Sequence, residues 1–322
     1  MLLLYRRVSC KLNRPILVVM VGIPASGKSY KAKELSELYN ANIYSSETYR
    51  KELLGDENCQ DNNELVFNTL FNDIYYALCS GENCILDAAN TTLKSRREIF
   101  NRFGNISDII AYIITTTIDN CINRDLHRER TVGEGIINKF VLSYEFPQMF
   151  EGFSNIIIDS DLKDSYNTDK EQRIKNRMYR FSQNNPHHKY TVGKHCFELA
   201  SQFNELDNRY IAGLWHDVGK MFTCKFDENN ICHYTGHANY STYYLLSNLD
   251  IINVSDTYSI SEILFYINYH MKIREIVATG KDSTKEKYRN LFGMDYTMGC
   301  RYDKLIEFMN ADNIASGKKL VD

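Results

Sequence analysis

The sequence contains no apolar run long enough to cross a membrane, no CxxC pair, no internal repeat and no strong net charge. Each absence excludes a class. The apolar run Ile16–Val21 is strand-length, far below a membrane span. Met1–Tyr5 is apolar, but Arg6 and Arg7 follow it, the reverse of the order in a signal peptide. Nine cysteines, an odd number without metal-type spacing, suit a reducing compartment better than a disulfide framework. A formal charge of −3 demands no polyanionic partner, although a local basic groove is compatible with it. The expectation is a cytoplasmic protein with no membrane partner.

What is present is enough for two ordinary domains. The chain has 322 residues, of which 43% are hydrophobic and 25% charged. From residue 15 to 158, short apolar runs alternate with helical stretches: Ile16–Val21, Asn42–Tyr44, Asn83–Asp87, Asp108–Thr115 and Asn155–Ile158 as strands, with Lys28–Leu38, Glu64–Cys79 and Lys94–Phe103 as helices. This pattern predicts an α/β domain, a parallel sheet with helices on both faces. A polar stretch from Asp159 to Lys170 has little to bury and reads as a linker. Beyond it the strand signal nearly vanishes. Ile211, Leu214, Trp215 and Val218 fall on one helical face, so the second half is expected to be all-α. The boundaries drawn are 1–160, a linker over 161–174, and 175–322.

Gly22-Ile23-Pro24-Ala25-Ser26-Gly27-Lys28-Ser29 fits GxxxxGK[ST] between a strand and a helix. Glycines let backbone N–H groups turn towards phosphate oxygens, and the helix N-terminus adds positive potential. Gly22, Ser26, Gly27, Lys28 and Ser29 therefore form a triphosphate cradle. Lys28 would neutralise the β- and γ-phosphates and Ser29 would hold Mg²⁺. Asp87, ending a strand, either orients that Mg²⁺ shell or a catalytic arginine, or is a turn or cap residue. Glu47 and Arg50, three apart after the second strand, are either a base with an anion-binding partner or a surface ion pair. Arg124 and Arg128, spaced i, i+4, and Arg130 nearby, are either lid cations or a solvated face.

The second half holds His195, His216-Asp217, His237, His270 and Asp312 on a helical background. Asp312 follows Phe308 and Met309 on an apolar face, where an unpartnered carboxylate is costly. Imidazole and carboxylate donors suit Mn, Fe, Co, Ni or Zn. Lys220 reads either as a phosphate contact or as a helix C-terminal charge. His187, His188 and His233 read as non-ligands, and Cys224, Cys232 and His233 have poor spacing for zinc.

Residues 15–158 resemble the 5′-hydroxyl polynucleotide kinases of the end-healing type, through GIPASGKS, SSETYR, ILDAAN, NRDLHRER and Glu151-Gly152-Phe153. The resemblance implies ATP, or another NTP, with Mg²⁺. It also implies Glu47 as general base, Arg50 on the acceptor phosphate, and Arg128 as lid arginine with Arg124 and Arg130 as rivals. Two departures stand out: Glu47 where the family has Asp, and Ala89 where it has a threonine. Small-molecule kinases and zeta-toxin-like sugar kinases share this layout.

Residues 185–317 resemble the HD phosphohydrolase superfamily, through Asn185-Pro186-His187-His188, His195, His216-Asp217 with Gly219-Lys220, Gly236-His237, His270 and Ala311-Asp312-Asn313. This implies one cation on His195, His216, Asp217 and Asp312, and a second on His237 and His270, with Asp217 bridging. Water activated there would attack phosphorus. A kinase and a hydrolase on one chain make sense on opposite ends of a cleaved nucleic acid, RNA or DNA. Such an enzyme would heal a 5′-hydroxyl and a 2′,3′-cyclic or 3′-phosphate end for a separate ligase. Two alternatives are a nucleoside or metabolite kinase fused to an HD nucleotidase, and a nucleotide-sensing regulator.

Overall fold

The computed structural model describes residues 14–56, 59, 61–185, 189–294 and 299–317. The readings made for Met1–Arg7, Pro186, His187 and His188 lie outside the described residues.

The first half runs β1 (Ile16–Val21), α1 (Lys28–Tyr39), β2 (Ala41–Ser45), α2 (Ser46–Leu54), α3 (Asn63–Cys79), β3 (Asn83–Asp87), α4 (Leu93–Phe103), β4 (Asp108–Ile114), α5 (Ile118–Leu126), α6 (Glu134–Leu142) and β5 (Asn155–Asp159). The strands form one parallel sheet in the order β2-β3-β1-β4-β5. Residues along β1 alternate between faces. Val18 and Met20 pack with Ala32 and Leu35 of α1, whereas Leu17, Val19 and Val21 enter the larger core on the opposite face. Both faces are covered, which is why β1 reads as an unbroken apolar run. Because β1 lies between β3 and β4, its C-terminal end is where the chain's crossovers diverge, the usual ligand crevice of open α/β sheets.

The second half runs α7 (Thr168–Arg180), α8 (Val192–Ala200), α9 (Asn208–Trp215), α10 (Lys220–Thr223), β6 (Lys225–Phe226), β7 (Cys232–His233), α11 (His237–Leu246), α12 (Thr257–Ala278), α13 (Asp282–Phe292) and α14 (Arg301–Ala315). It is helical apart from the antiparallel β6–β7 hairpin, which corrects the all-α expectation. The hairpin's paired segments are two residues each, too short to leave a period-2 signal. Cys224 and Cys232 pair as a disulfide across it, where the cysteine pattern had suggested free thiols. The polar segment after β5 enters α7 at Thr168, with Asn167 capping it through Lys170 N at 2.9 Å. Among the described residues, no helix is long and apolar enough to cross a membrane.

The larger sheet-face core continues without a break into the helical half. Phe150 meets Phe265, Tyr269 and Phe292, and Tyr144 packs edge-on against Tyr243. Buried polar groups lock the same seam. Asn268 Nδ2 donates to Asn239 Oδ1 at 3.0 Å and to Tyr144 O at 3.3 Å, and Asn268 Oδ1 accepts from Phe146 N at 2.8 Å. Asn239 Nδ2 donates to Leu142 O at 3.0 Å. Asn239 and Asn268 each lie two residues from a histidine of the candidate metal site, His237 and His270.

Candidate active sites

The GIPASGKS segment bends over the end of β1. Ala25 and Gly27 take left-handed φ values of 60° and 102°. Thr92, Thr117 and Thr191 each cap a helix through a side-chain oxygen, but α1 is preceded by Gly27 and has no side-chain cap. Its first amides are thus left for an anion. Ser26 Oγ is buried and accepts or donates no hydrogen bond. A Cβ on Gly22 would lie 2.7 Å from that oxygen, so a side chain there would displace the Ser26 hydroxyl. The loop is held from behind: Ser26 O accepts from Thr116 Oγ1 at 2.7 Å and from Arg124 Nη1 at 3.0 Å.

Lys28 is buried, with Nζ donating to Ile23 O at 2.9 Å. Burial draws its pKa down, against the pull of Asp87 and Glu47. Burial pushes Asp87 up, opposed by a hydrogen bond from Ser29 and by the charge of Lys28. Lys28, Ser29 and Asp87 thus lie close enough together to act on one another electrostatically. An uncapped helix end, a buried ammonium and a Ser–Asp pair fit a triphosphate with its Mg²⁺.

Glu47, in the first turn of α2, does not pair with Arg50 as a surface i, i+3 couple. Its Oε1 lies 2.9 Å from Arg130 Nη1. Arg50 instead binds Asn63 Oδ1 through Nε and Nη2, each at 3.2 Å, and lies over Phe67. Burial and then the nearby Arg130 lower its pKa. Two cations therefore flank Glu47 at the C-terminal edge of the sheet. The expectation that Arg124 and Arg128 share a helical face is corrected, because α5 ends at Leu126. Asp125 accepts from Val132 N at 3.0 Å and Gly133 N at 2.8 Å, which turns the chain, and it also pairs with Arg128. The three arginines separate: Arg124 behind the loop, Arg130 on Glu47, and Arg128 on Asp125 near enough to depress Lys28.

All six metal-ligand candidates converge. His195 comes from α8, His216-Asp217 from the turn after α9, His237 from the start of α11, His270 from α12 and Asp312 from α14. All are buried. Asp217 sits between two groups. Its Oδ2 lies 3.4 Å from His195 Nε2, 3.3 Å from His216 Nε2 and 2.6 Å from Lys220 Nζ. Its Oδ1 lies 3.2 Å from His237 Nε2 and 3.7 Å from His270 Nε2, with no donor aligned on it. Asp312 Oδ1 is 3.0 Å from His195 Nε2.

Backbone carbonyls fix the tautomers. His216, His237 and His270 each place Nδ1 at 2.7–2.8 Å from the carbonyl three residues earlier, Gly213, Tyr234 and Ile267. A carbonyl only accepts, so each Nδ1 carries a proton and each Nε2 faces the centre. His195 and His216 oppose Nε2 to Nε2 at 3.3 Å, and His237 and His270 at 3.2 Å, with no room for two protons between either pair. Burial would lower His216, but Asp217 overrides it and holds the imidazole well above its ordinary range. Burial would raise Asp217, but His216 and Lys220 hold it well below. His270 is pushed well below its range by burial, His216 and His237. The two carboxylates therefore sit among nitrogen donors, with Lys220 on Asp217 and Arg274 on Asp312 as neighbouring cations. A divalent cation would bind the Nε2 and carboxylate atoms in their deprotonated form. The donor set and the unpartnered Asp217 Oδ1 fit one or two such ions.

Lys220 does not close a helix. It opens α10, bonds Gln183 Oε1 at 2.9 Å and faces Asp217, so the helix-end reading of this residue is corrected. Gly219 lies against α11: a Cβ there would stand 2.4 Å from His237 O. His233 pairs with Asp227 at the hairpin, apart from the cluster. The sequence reading missed Gln183, Asp125 and Arg274. Only Arg274 left a signal, four residues after His270 on the same helix.

Residues 17–147 match the family model described as AAA domain. The 6-phosphofructo-2-kinase/fructose-2,6-bisphosphatase 3 of Homo sapiens is 29% identical over 126 residues, covering 34% of this chain and 24% of that protein. Its counterpart in Rattus norvegicus is 28% identical, with 34% and 22% covered. The chain thus spans about a quarter of the length of the curated relatives it matches. Among solved structures, the Pnkp1/Rnl/Hen1 RNA repair complex matches at 22% identity and a TM-score of 0.38, over 42% of this chain and 46% of that one. A putative kinase from Chloroflexus aurantiacus matches at 16% and 0.38, over 46% and 85%. With its five-stranded parallel sheet and its phosphate loop, the first half has a P-loop kinase-like fold.

Proposed function

We propose that the chain is a two-site enzyme of nucleic-acid end healing, a P-loop kinase over residues 1–160 joined through 161–174 to an HD-type phosphohydrolase over 175–322. These boundaries divide two sites, while the core runs across them. The observation that carries the reading is the pair of dissimilar centres: an uncapped P-loop with a buried lysine, and a carboxylate bridging two histidine groups.

In the kinase half, Mg²⁺–ATP supplies the γ-phosphoryl group. Lys28 leaves Ile23 O to neutralise phosphate charge, and Ser29 with Asp87 faces the cation. Glu47, held by Arg130, takes the acceptor hydroxyl's proton, and Arg50 binds an acceptor phosphate. Arg128, kept in place by Asp125, meets charge developing on the transferred group, while Arg124 holds the loop. In the helical half, divalent cations supply Lewis acidity and an activated water when bound. His195, His216, Asp217 and Asp312 would hold one, and His237 and His270 the other. Asp217 would be shared between them, and Lys220, itself bonded to Gln183, would neutralise phosphate charge beside it. The substrates are a 5′-hydroxyl end and a 2′,3′-cyclic or 3′-phosphate end, of RNA in the first instance, for a separate ligase.

A second reading has its own support. The curated relatives are named as kinases of a small phosphorylated sugar, so the acceptor is alternatively a metabolite. Labelled γ-phosphate from ATP, offered to a 5′-hydroxyl oligonucleotide alongside nucleosides and sugar phosphates, separates the two. Label on the oligonucleotide supports end healing; label only on a small molecule overturns it.

A further inference from the structure

Arg274 stands at the edge of the metal centre, and no role above uses it. It lies on α12 one turn after His270, and its side chain is 25% exposed. Nη2 donates to Asp312 Oδ2 at 2.5 Å, and Nη1 donates to Asn313 Oδ1 at 2.6 Å. Asn313 is buried, so both acceptors are fixed on α14. The two oxygens of Asp312 are therefore divided: Oδ2 faces the guanidinium, and Oδ1 lies 3.0 Å from His195 Nε2.

We propose that Arg274 is a positioning residue that makes Asp312 a one-oxygen ligand of the cation held with His195, His216 and Asp217; this rests on the metal-centre reading above. A free carboxylate can chelate through both oxygens and occupy two coordination positions. Engaging one of them with a charged donor leaves a position open for water or a substrate oxygen, the requirement of a catalytic site rather than a closed structural one. The planar guanidinium suits the task, because its fork spans two acceptors on successive residues, where an ammonium offers a point charge. Outer partners of this kind typically alter metal affinity by roughly 10- to 100-fold.

The test is calorimetric titration of Mn²⁺ into the full-length metal-free chain, comparing wild type, Arg274→Lys and Arg274→Gln. Asp312→Asn identifies the binding step that depends on Asp312, and thermal melting of each metal-free variant reports its stability. The expected result is that Arg274→Gln, by freeing Oδ2 to chelate and removing a neighbouring positive charge, strengthens the Asp312-dependent step by roughly 10- to 100-fold and leaves any step that survives in Asp312→Asn unchanged. Arg274→Lys should fall between, having the charge without the fork. Wild-type or weaker affinity for that step in Arg274→Gln overturns the proposal. So does equal weakening of every step with a matching loss of melting temperature, which would make Arg274 only a staple between α12 and α14. A wild-type chain that binds no Mn²⁺ instead overturns the metal-centre reading itself.

Discussion

Asn268→Leu probes the seam between the two halves. The substitution conserves approximate volume but removes three hydrogen bonds: from Phe146 N, to Tyr144 O and to Asn239 Oδ1. Asn268 is only 6% exposed, so water cannot readily replace them. Each buried group left unsatisfied costs about 1–3 kcal/mol. Tyr144 O, bonded at the longest distance, should contribute least, and partial relaxation will reduce the sum. The expected loss is about 3–5 kcal/mol, a large share of the roughly 5–15 kcal/mol that holds a typical domain together. Urea unfolding followed by the fluorescence of Trp215 measures it. That residue reports on the helical half from a buried position. Circular dichroism, which also reports on the first half, should trace the same transition, since one core spans both. Asn268→Leu should also weaken Mn²⁺ binding, because Asn239 and Asn268 fix the helices carrying His237 and His270. A loss below about 1 kcal/mol, the worth of a single ordinary hydrogen bond, would refute the reasoning. Two well-separated unfolding transitions in the wild type would refute the shared core.

Gly219→Ala should destabilise the chain by at least about 1–3 kcal/mol and impair metal binding, because its methyl would meet His237 O at 2.4 Å; melting temperature and Mn²⁺ titration read the two effects. Arg124→Ala and Arg128→Ala should separate kinetically. Losing Arg124 loosens Ser26 and raises the KM for ATP, whereas losing Arg128 lowers kcat by about 10²-fold or more; equal effects on both constants would contradict the placement. Glu47→Gln should abolish transfer to a hydroxyl while leaving ATP affinity intact, as measured by nucleotide titration.

The sheet was legible because its central strands β1, β3 and β4 are apolar runs buried on both faces, and the observed strands fall within a residue or two of the expected ones. The phosphate loop was legible because its backbone geometry needs glycine at fixed spacing. The convergence of His195, His216, Asp217, His237, His270 and Asp312 was anticipated from order along the chain, although no local pattern brings five segments together. What stayed hidden depends on tertiary contact. Arg124, Arg128 and Arg130 look alike in sequence and differ only in what faces them: a carbonyl, Asp125 or Glu47. The helix carrying Arg124 ends early because Asp125 captures Val132 N and Gly133 N, seven and eight residues on. Glu151, noted for its place before the last strand, forms a buried two-point ion pair with Arg96, and composition alone gives no hint of that pairing. The disulfide and its hairpin are equally silent, since Cys224 and Cys232 meet only once the chain reverses between them.

The most direct measurement gives one RNA carrying a 5′-hydroxyl and a 2′,3′-cyclic phosphate to the wild type, Lys28→Ala and Asp217→Ala, and reads both termini after incubation with ATP and Mn²⁺. The account expects wild type to convert both ends, Lys28→Ala to convert only the 3′ end, and Asp217→Ala only the 5′ end. Loss of both conversions in either variant, with its fold intact by circular dichroism, would contradict two chemically separate centres.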